Sequence, residues 1–314
     1  MIVTVTPNPS IDRAIEVAEL VRGAVLRAVG GAVDPGGKGI NVARALAANG
    51  REARAVYPSG GAEGRQLTEL LAAAGIDVAS VTIGHPVRSN ISVLEPDGTT
   101  TKLNELGPTL SAEEVEDLIA TTAKAAEDAT WIAGCGSLPP GAGDDFYARL
   151  LARLHEHGAR VALDSSGPAF TAALAARPDL VKPNHEELAE ATGREVATLG
   201  DAVDAANALR ERGVGTVVVS LGADGALLVS DAGTVHGIAR AERPRSTVGA
   251  GDALLAGFLA AGGQGPEALA EGLAWGTAAV QLPGSQMPTP ADLDRDAVRL
   301  NDSIDRNRPL GGSA

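Results

Sequence analysis

The sequence predicts a doubly wound α/β fold, in which a mainly parallel sheet has helices on both faces and a small β-sheet forms a lid. Short β-branched runs alternate with Ala- and Leu-rich helical stretches along most of the chain. This alternation is typical of parallel strands that are connected by helices. Two stretches, 12–33 and 87–104, break it, because they consist of short strand-like runs with no helical stretch between them.

The expected elements follow one another in a regular order. The predicted strands of the main sheet are 2–6, 131–133, 160–163, 180–182 and 216–220. The predicted helices are 41–48, 63–74, 111–128, 144–157, 170–176, 186–192, 199–212 and 253–261. Ser111 and Glu114 have the spacing of a capping box, which indicates a helix start at Ser111. Ligands of such sheets bind at the carboxyl ends of the strands, so we expect the functional site there.

The two stretches that lack helices are expected to form the lid. Their predicted strands are 15–17, 25–28, 91–94 and 100–104, and the turn Pro96-Asp97-Gly98 joins the last two as a hairpin. The α/β core would then comprise residues 1–11, 34–86 and 105–306, and 307–314 would be a loose tail. A lid of this kind often has one apolar face to cover, which favours a homodimer formed through it.

Composition excludes several classes of function. The 314 residues are 44% hydrophobic and 21% charged, which is typical of a globular protein with a sizeable core. A net charge of −14 and 2% aromatic residues argue against nucleic-acid or anionic-membrane partners. One cysteine, no signal-peptide pattern and no run of about 18 apolar residues favour a cytoplasmic location. The four lysines mark where a local cationic pocket would lie: Lys38, Lys102, Lys124 and Lys182.

The strongest local signal is a glycine-rich turn that leads directly into an apolar helix. Residues 246–253 read Ser-Thr-Val-Gly-Ala-Gly-Asp-Ala. The free N–H groups and the positive dipole end of a helix start suit phosphate oxygens. Asp252, in the first turn, could accept a hydroxyl proton while the amides hold a phosphoryl group. An aspartate that only complements the helix dipole explains the same pattern.

A second polar segment stands where a predicted strand leads into a helix. Asn184 and Glu187 are three residues apart, which is the spacing of a capping box. The same pair also suits a hydrated Mg²⁺, since this ion keeps waters and takes few carboxylates. In that case Lys182 would face a nucleotide phosphate.

A third glycine turn, residues 34–44, reads Asp-Pro-Gly-Gly-Lys-Gly-Ile-Asn-Val-Ala-Arg and enters a helix. It is not a P-loop, because Gly39 stands where Ser or Thr would bind Mg²⁺. Bare amides beside Lys38 still form an anion cradle, and a structural turn with a solvated lysine is the alternative. The turns that contain Ser137 and Ser220 could contact a ligand, although their turn-forming residues explain them equally well.

Together these motifs resemble the PfkB (ribokinase-like) family of carbohydrate kinases, in order along nearly the whole chain. Four segments carry the resemblance: 4–12, 36–43, 181–187 and 246–252. Gly-Gly-Lys-Gly, Arg88-Ser89-Asn90 and Thr101-Lys102-Leu103-Asn104 resemble its 1-phosphofructokinase and tagatose-6-phosphate kinase branch. The resemblance implies a ribokinase-like fold and an ATP- and Mg²⁺-dependent kinase of a sugar phosphate. Within that branch, fructose 1-phosphate, converted to fructose 1,6-bisphosphate, is the expected substrate.

The resemblance also implies a role for individual residues. Asp252 would be the base, and the anion hole would comprise Gly249, Ala250 and Gly251. Mg²⁺ would be organised, through water, by Asn184 and Glu187. The nucleotide would be lined by Lys182, Asn184, Ser220, Gly222, Gly225 and Val248. The sugar would contact Asp12, Gly37 and Asn41, and its phosphate would be held by Arg27, Lys38, Arg88, Asn90 and Ser137.

Three alternatives are considered at this point. The first, a Rossmann-type dehydrogenase, is disfavoured because no Gly-x-Gly-x-x-Gly loop follows the strand 2–6. A tagatose-6-phosphate or fructose-6-phosphate kinase of the same family would carry much the same motifs. A sugar-phosphate sensor without catalytic activity could share the fold, but such a sensor would not need Asp252, which is present.

Overall fold

The computed structural model describes residues 1–311. The strands are β1 (Ile2–Val5), β2 (Ser10–Glu16), β3 (Gly30–Gly36), β4 (Ala53–Ser59), β5 (Asp77–Thr82), β6 (Arg88–Leu94), β7 (Thr100–Asn104), β8 (Trp131–Cys135), β9 (Val161–Asp164), β10 (Leu180–Val181), β11 (Thr216–Ser220), β12 (Ala226–Ser230), β13 (Gly233–Ile238) and β14 (Arg299–Asn301). The helices are α1 (Lys38–Ala48), α2 (Gly61–Ala73), α3 (Ala112–Ala125), α4 (Phe146–His155), α5 (Gly167–Ala173), α6 (His185–Thr192), α7 (Leu199–Glu211), α8 (Ala250–Ala260) and α9 (Gly265–Val280).

Within residues 1–311, the main sheet has ten strands in the order β14-β13-β12-β11-β10-β9-β8-β1-β4-β5. The seven strands β11-β10-β9-β8-β1-β4-β5 pair in parallel, and β12, β13 and β14 are added beside β11 by antiparallel pairing. Alternate residues of a strand face opposite sides. Ile132 of β8 packs with the layer of α3 to α7, whereas Ala133 packs with α1, α2, α8 and α9. The predicted doubly wound sheet with helices on both faces is therefore confirmed.

The second sheet, which we call the lid, has the strand order β3-β2-β6-β7. Parallel pairing of β2 with β6, with Asp12 opposite Asn90, joins the two inserted stretches. The first inserted stretch, which contains β2 and β3, runs from Ser10 to Gly36 and so extends beyond the predicted limits of 12 and 33. Several large apolar side chains remain exposed on and beside it, among them Val25 (92%) and Leu106 (82%).

One predicted strand of the lid was wrong. Residues 25–28 form a loop, and the strand lies at β3 instead, over a Gly-Gly-Ala-Val-Asp-Pro-Gly segment of low strand propensity. The antiparallel register with β2, from Ser10 opposite Gly36 to Glu16 opposite Gly30, places this segment in the sheet. Pairing with a neighbouring strand overrides local propensity here.

The last described residues are attached to the core. The Arg308 side chain donates to Asp224 at 2.7 Å, and the backbone N–H of Gly311 donates to the same carboxylate at 2.7 Å. The N–H of Leu199 donates to the carbonyl of Arg308 at 2.9 Å. The expected loose tail therefore does not begin at 307, and its remaining residues, 312–314, lie outside the described part of the chain. No helix within residues 1–311 is long and apolar enough to cross a membrane.

Candidate active site

Asp252 is buried in the first turn of α8, at the carboxyl edge of the main sheet. Gly249 caps this helix with a φ of 78°, in the left-handed region that favours glycine. A Cβ atom on Gly249 would lie 2.8 Å from the Cε of Met287, the flexible end of that side chain, so the backbone conformation is the main reason for glycine there. The N–H of Ala250 donates to the carbonyl of Thr247 at 3.3 Å. The helix start nevertheless presents its dipole, and amide groups of its first turn, beside the carboxylate.

The surroundings of Asp252 suit a proton acceptor. Burial, reinforced by the negative charge of Asp164, raises its pKa from 3.8 to about 6. Lys38, a hydrogen bond from Asn41 and Lys182 act in the opposite direction. The Nδ2 of Asn41 donates to Oδ2 of Asp252 at 2.9 Å. Asp252 is thus ionised at neutral pH but more basic than an exposed aspartate, as general base catalysis requires.

A buried carboxylate holds the two predicted phosphate-binding lysines together. Asp164, at the end of β9, is 1% exposed. The Nζ of Lys38 lies 2.9 Å from its Oδ1, and the Nζ of Lys182 lies 3.0 Å from its Oδ2. The sequence motifs place Lys38 at the sugar phosphate and Lys182 at the nucleotide, and they do not indicate Asp164. An acidic residue at the end of a buried strand, on the ligand-binding edge, is the signal that would have revealed it.

This charge cluster is electrostatically balanced. Burial alone would raise the pKa of Asp164, but the charges of Lys182 and Lys38 outweigh it and hold that pKa below its ordinary value. Asp164 in turn raises the pKa of Lys38. The Lys38 side chain is still 37% exposed, so it is not closed off from a ligand at this edge of the sheet.

Asn184 and Glu187 form the capping box of α6. The Asn184 N–H donates to Oε2 of Glu187, and the Glu187 N–H donates to Oδ1 of Asn184, both at 2.8 Å. The second carboxylate oxygen of Glu187 lies 3.7 Å from the Nζ of Lys38. Residues 1–311 contain no group of three or more His, Cys, Asp or Glu side chains that could hold a metal ion. Mg²⁺ needs only one or two carboxylates beside waters and phosphates, so Glu187 fits such an ion.

The predicted nucleotide turn lies next to this motif. Ser220 forms an isolated parallel β-bridge with Asn184, and the Ser220 N–H donates to the carbonyl of Pro183 at 3.0 Å. Gly222 and Gly225 have φ angles of 59° and 88°. A Cβ on Gly225 would lie 2.0 Å from the carbonyl oxygen of Gly237, so packing against β13 is sufficient to require this glycine. Val248 is half-buried in the loop before α8, and its N–H donates to Oγ of Ser246 at 3.2 Å.

Residues predicted to bind the sugar meet where the lid joins the core. Asp12 accepts hydrogen bonds from Ser10 at 2.7 Å and from Asn90 at 3.0 Å. Arg88 donates to the carbonyls of Asn8 and Glu105. The buried Nε of Arg88 and Oδ1 of Asn90 have no hydrogen-bond partner among residues 1–311. Buried polar atoms without partners are rare in proteins, so a polar ligand that reaches these atoms would be stabilised.

Of the remaining predicted contacts, Gly37 and Ser137 lie in segments next to Lys38, whereas Arg27 lies in the lid. Gly37, with a φ of 115°, lets α1 start against Thr6, because a Cβ there would lie 2.6 Å from Cγ2 of that threonine. Ser137 is exposed just after Gly136, where an added Cβ would lie 3.8 Å from the Cβ of Lys38. Arg27 is exposed in the loop between β2 and β3.

Comparison with known proteins agrees with this geometry. The model of the pfkB family carbohydrate kinases matches residues 5–292. The 1-phosphofructokinase of Haloferax volcanii is 41% identical over 312 residues, which cover 98% of this chain and 100% of that protein. The 1-phosphofructokinase of Rhodobacter capsulatus is 40% identical over 260 residues, 82% of each chain.

A solved structure gives the same result for the fold. The crystal structure of phosphofructokinase-2 from Escherichia coli in complex with potassium superposes with a TM-score of 0.87 at 33% identity. The match covers 93% of this chain and 96% of that one. The fold is therefore ribokinase-like. The chain belongs to the pfkB family of carbohydrate kinases and is an ATP-dependent sugar kinase.

Proposed function

We propose that the kinase transfers the γ-phosphoryl group of ATP to a ketohexose phosphate, namely to the C6 hydroxyl of fructose 1-phosphate, giving fructose 1,6-bisphosphate. The observation that carries this proposal is the buried Asp252 at the start of α8, whose pKa is raised to about 6. The two relatives named 1-phosphofructokinase, at 41% and 40% identity, support the choice of substrate.

In this mechanism Asp252 accepts the hydroxyl proton as the sugar oxygen bonds to the γ-phosphorus and the bond to the ADP oxygen breaks. The start of α8 stabilises the transferred phosphoryl group, and Lys38 offsets charge between the two anionic substrates. Glu187, oriented by Asn184, would hold Mg²⁺ through water. When bound, the ion neutralises phosphate charge.

The sugar-phosphate side of the site is assigned to the junction of lid and core. Asp12 and Asn90, already hydrogen-bonded to each other, would bind sugar hydroxyls or the substrate phosphate. Arg88 would add a cation, since its Nε is still without a partner in the described chain. Lys38, Ser137 and Arg27 complete the proposed phosphate contacts, and closure of the lid loop would have to bring Arg27 closer.

A fructose-6-phosphate kinase is the second candidate, because of the superposition with phosphofructokinase-2 of Escherichia coli. Release of ADP in the presence of fructose 1-phosphate, fructose 6-phosphate or tagatose 6-phosphate separates the candidates. We expect the highest kcat/KM with fructose 1-phosphate. A higher kcat/KM with fructose 6-phosphate or tagatose 6-phosphate would assign that sugar phosphate as the substrate instead. No ADP release with any of the three would overturn the proposal and would leave a sugar-phosphate sensor.

Lys38→Met is expected to raise the KM for the sugar phosphate and to leave the KM for ATP nearly unchanged. The reason is that the Lys38 side chain is partly exposed and that its Cβ lies near Gly136, next to Ser137, which we assign to the substrate phosphate. Initial rates measured with each substrate varied at saturation of the other give the two constants. Lys124→Met removes an exposed lysine at the end of α3 and serves as the matched control. A raised KM for ATP instead would assign Lys38 to the nucleotide side, through its neighbour Glu187.

We also propose that the chain forms a homodimer through the lid. We propose a cytoplasmic location as well. Val25, Val29, Leu103 and Leu106 are exposed on or beside the lid, and burial of such side chains drives association. The single cysteine, Cys135, is buried and free, which suits a reducing compartment. Sedimentation velocity would contradict the dimer if it gave the mass of one chain.

A further inference from the structure

Arg44, on α1, has no role in the function proposed so far, yet it is largely buried beside the site. Its side chain is 14% exposed. The guanidinium NH1 group lies 3.2 Å from Oδ1 of Asn41 and 3.3 Å from the carbonyl oxygen of Pro35. The NH2 group lies 3.5 Å from Oδ1 of Asp34. Burial of an arginine is costly without such partners, so this position is structurally defined.

The contacts of Arg44 determine which way the Asn41 amide points. A guanidinium can only donate hydrogen bonds, so it faces the amide oxygen of Asn41. An ionised carboxylate can only accept them, so Asp252 faces the amide nitrogen, with 2.9 Å between Nδ2 and Oδ2. The two ends thus require the same orientation of the amide. An amide turned by 180° would oppose its oxygen to the carboxylate and its NH₂ group to the guanidinium.

We propose that Arg44 is a positioning residue for the catalytic base: it holds the Asn41 amide so that this amide donates to Asp252. The inference rests on the proposed function, because it assigns Asp252 as the base. Asp34 and Pro35 belong to β3 of the lid, so the same guanidinium connects a lid strand with the base.

The arrangement has a consequence for pH dependence. The charged groups that face Asp252 are Asp164 at the end of β9, Lys38 on α1 and Lys182 after β10. Helix α9 packs on α8 through Gly272, Trp275 and Gly276, which carry no charge. Asp34 and Asp12 are the charges that act on Arg44. The hydrogen bond from Asn41 lowers the pKa of Asp252, so losing it moves the acid limb of kcat/KM to higher pH.

A double-mutant cycle with Arg44→Met, Asn41→Ala and the combined variant tests this inference. A hydrogen bond to a charged group is worth about a tenfold change, so we expect Arg44→Met to lower kcat about tenfold. We also expect its acid limb to move to higher pH. Because Arg44 acts through Asn41, the combined variant should be no slower than Asn41→Ala alone. Arg54→Met removes a surface arginine that pairs with Asp77 and should behave as wild type.

Two results would overturn the inference: multiplicative losses in the combined variant, or a kcat and pH profile of Arg44→Met equal to wild type. If Arg44→Met does not fold, the same cycle with Arg44→Lys decides. Lysine keeps the charge but lacks the planar fork, so the kcat of Arg44→Lys should lie below that of wild type and its cycle with Asn41→Ala should again be non-additive. A wild-type enzyme without sugar-phosphate kinase activity would instead refute the proposed function.

Discussion

Asp252→Asn is expected to lower kcat at least ~10²-fold, the lower end for a positioned base, and to make the folded protein more stable at neutral pH. Asparagine cannot take the hydroxyl proton, but its Oδ1 can still accept the hydrogen bond from Asn41. Substrate binding should therefore change little. A loss of activity together with a gain of stability cannot result from misfolding, which makes the variant a specific test of the base.

The gain of stability follows from the direction of the pKa shift. The folded-state pKa of Asp252 is about 6, above its ordinary value of 3.8. Between these pH values the folded chain binds more protons than the unfolded chain, so wild-type stability falls as the pH rises. Above about pH 6 the full cost of the buried charge is present, on the order of 2–3 kcal/mol. Asparagine removes that cost, and the difference should vanish near pH 4.

Steady-state rates and chemical denaturation at pH 8 and pH 4 measure both effects. Asp77→Asn, on the exposed strand β5, changes the same functional group at the surface and should leave rate and stability nearly unaltered. Near-normal turnover of Asp252→Asn would refute its role as the base. A loss of stability at pH 8 would show that burial of the charge is not costly there.

Asp164→Asn is expected to lower the free energy of unfolding by about 3–5 kcal/mol, the usual effect of removing one partner of a buried ion pair. The substitution leaves two ammonium groups without their shared countercharge. Lys38 keeps Glu187 at 3.7 Å, but the Lys182 side chain is only 5% exposed. The destabilisation should therefore arise mainly from Lys182.

Guanidinium denaturation at pH 7, compared with Asp77→Asn, measures this loss. The pair Arg54–Asp77 lies at the surface, where removal of an ion pair costs about 0–1 kcal/mol. The folded pKa of Asp164 is lowered, so its stabilisation is present above the unfolded value and is lost as the pH falls through the folded one. The free energies of unfolding of Asp164→Asn and Asp77→Asn should therefore become similar at acid pH. Equal losses at pH 7 would mean that Asp164 carries no buried charge.

The fold could be predicted to a large extent because most of its elements have local signals. The capping box at Ser111 is present as expected, with the Glu114 N–H donating to Ser111 Oγ at 3.2 Å. The strands β4, β5 and β12 to β14 and the helix α9 were not predicted. Gly30 and Gly31 entered a strand only because β2 pairs with them. Such elements depend on long-range pairing, which local patterns do not contain.

The site was predicted less completely for the same reason. Glycine turns before helices pointed to Asp252 and Lys38, the spacing of Asn184 and Glu187 pointed to Glu187, and the structure brings all three around one cluster. Asp164 and Arg44 were missed because their significance depends on partners that are distant in sequence or on a neighbouring strand. Lys38 and Lys182 are 144 positions apart in the chain, and no spacing in the sequence indicates that they share one carboxylate.

The hydrogen bond between Asn41 and Asp252 spans 211 positions of the chain. On the ribosome, the first strand, β1, is paired on both sides only after β8 has been synthesised, and Asp252, the proposed base, follows more than a hundred residues later. A chain that ends before α8 therefore contains lysines and glycine turns but lacks Asp252, the proposed base. In the proposed mechanism, catalytic activity should thus come only from molecules that are synthesised and folded through α8.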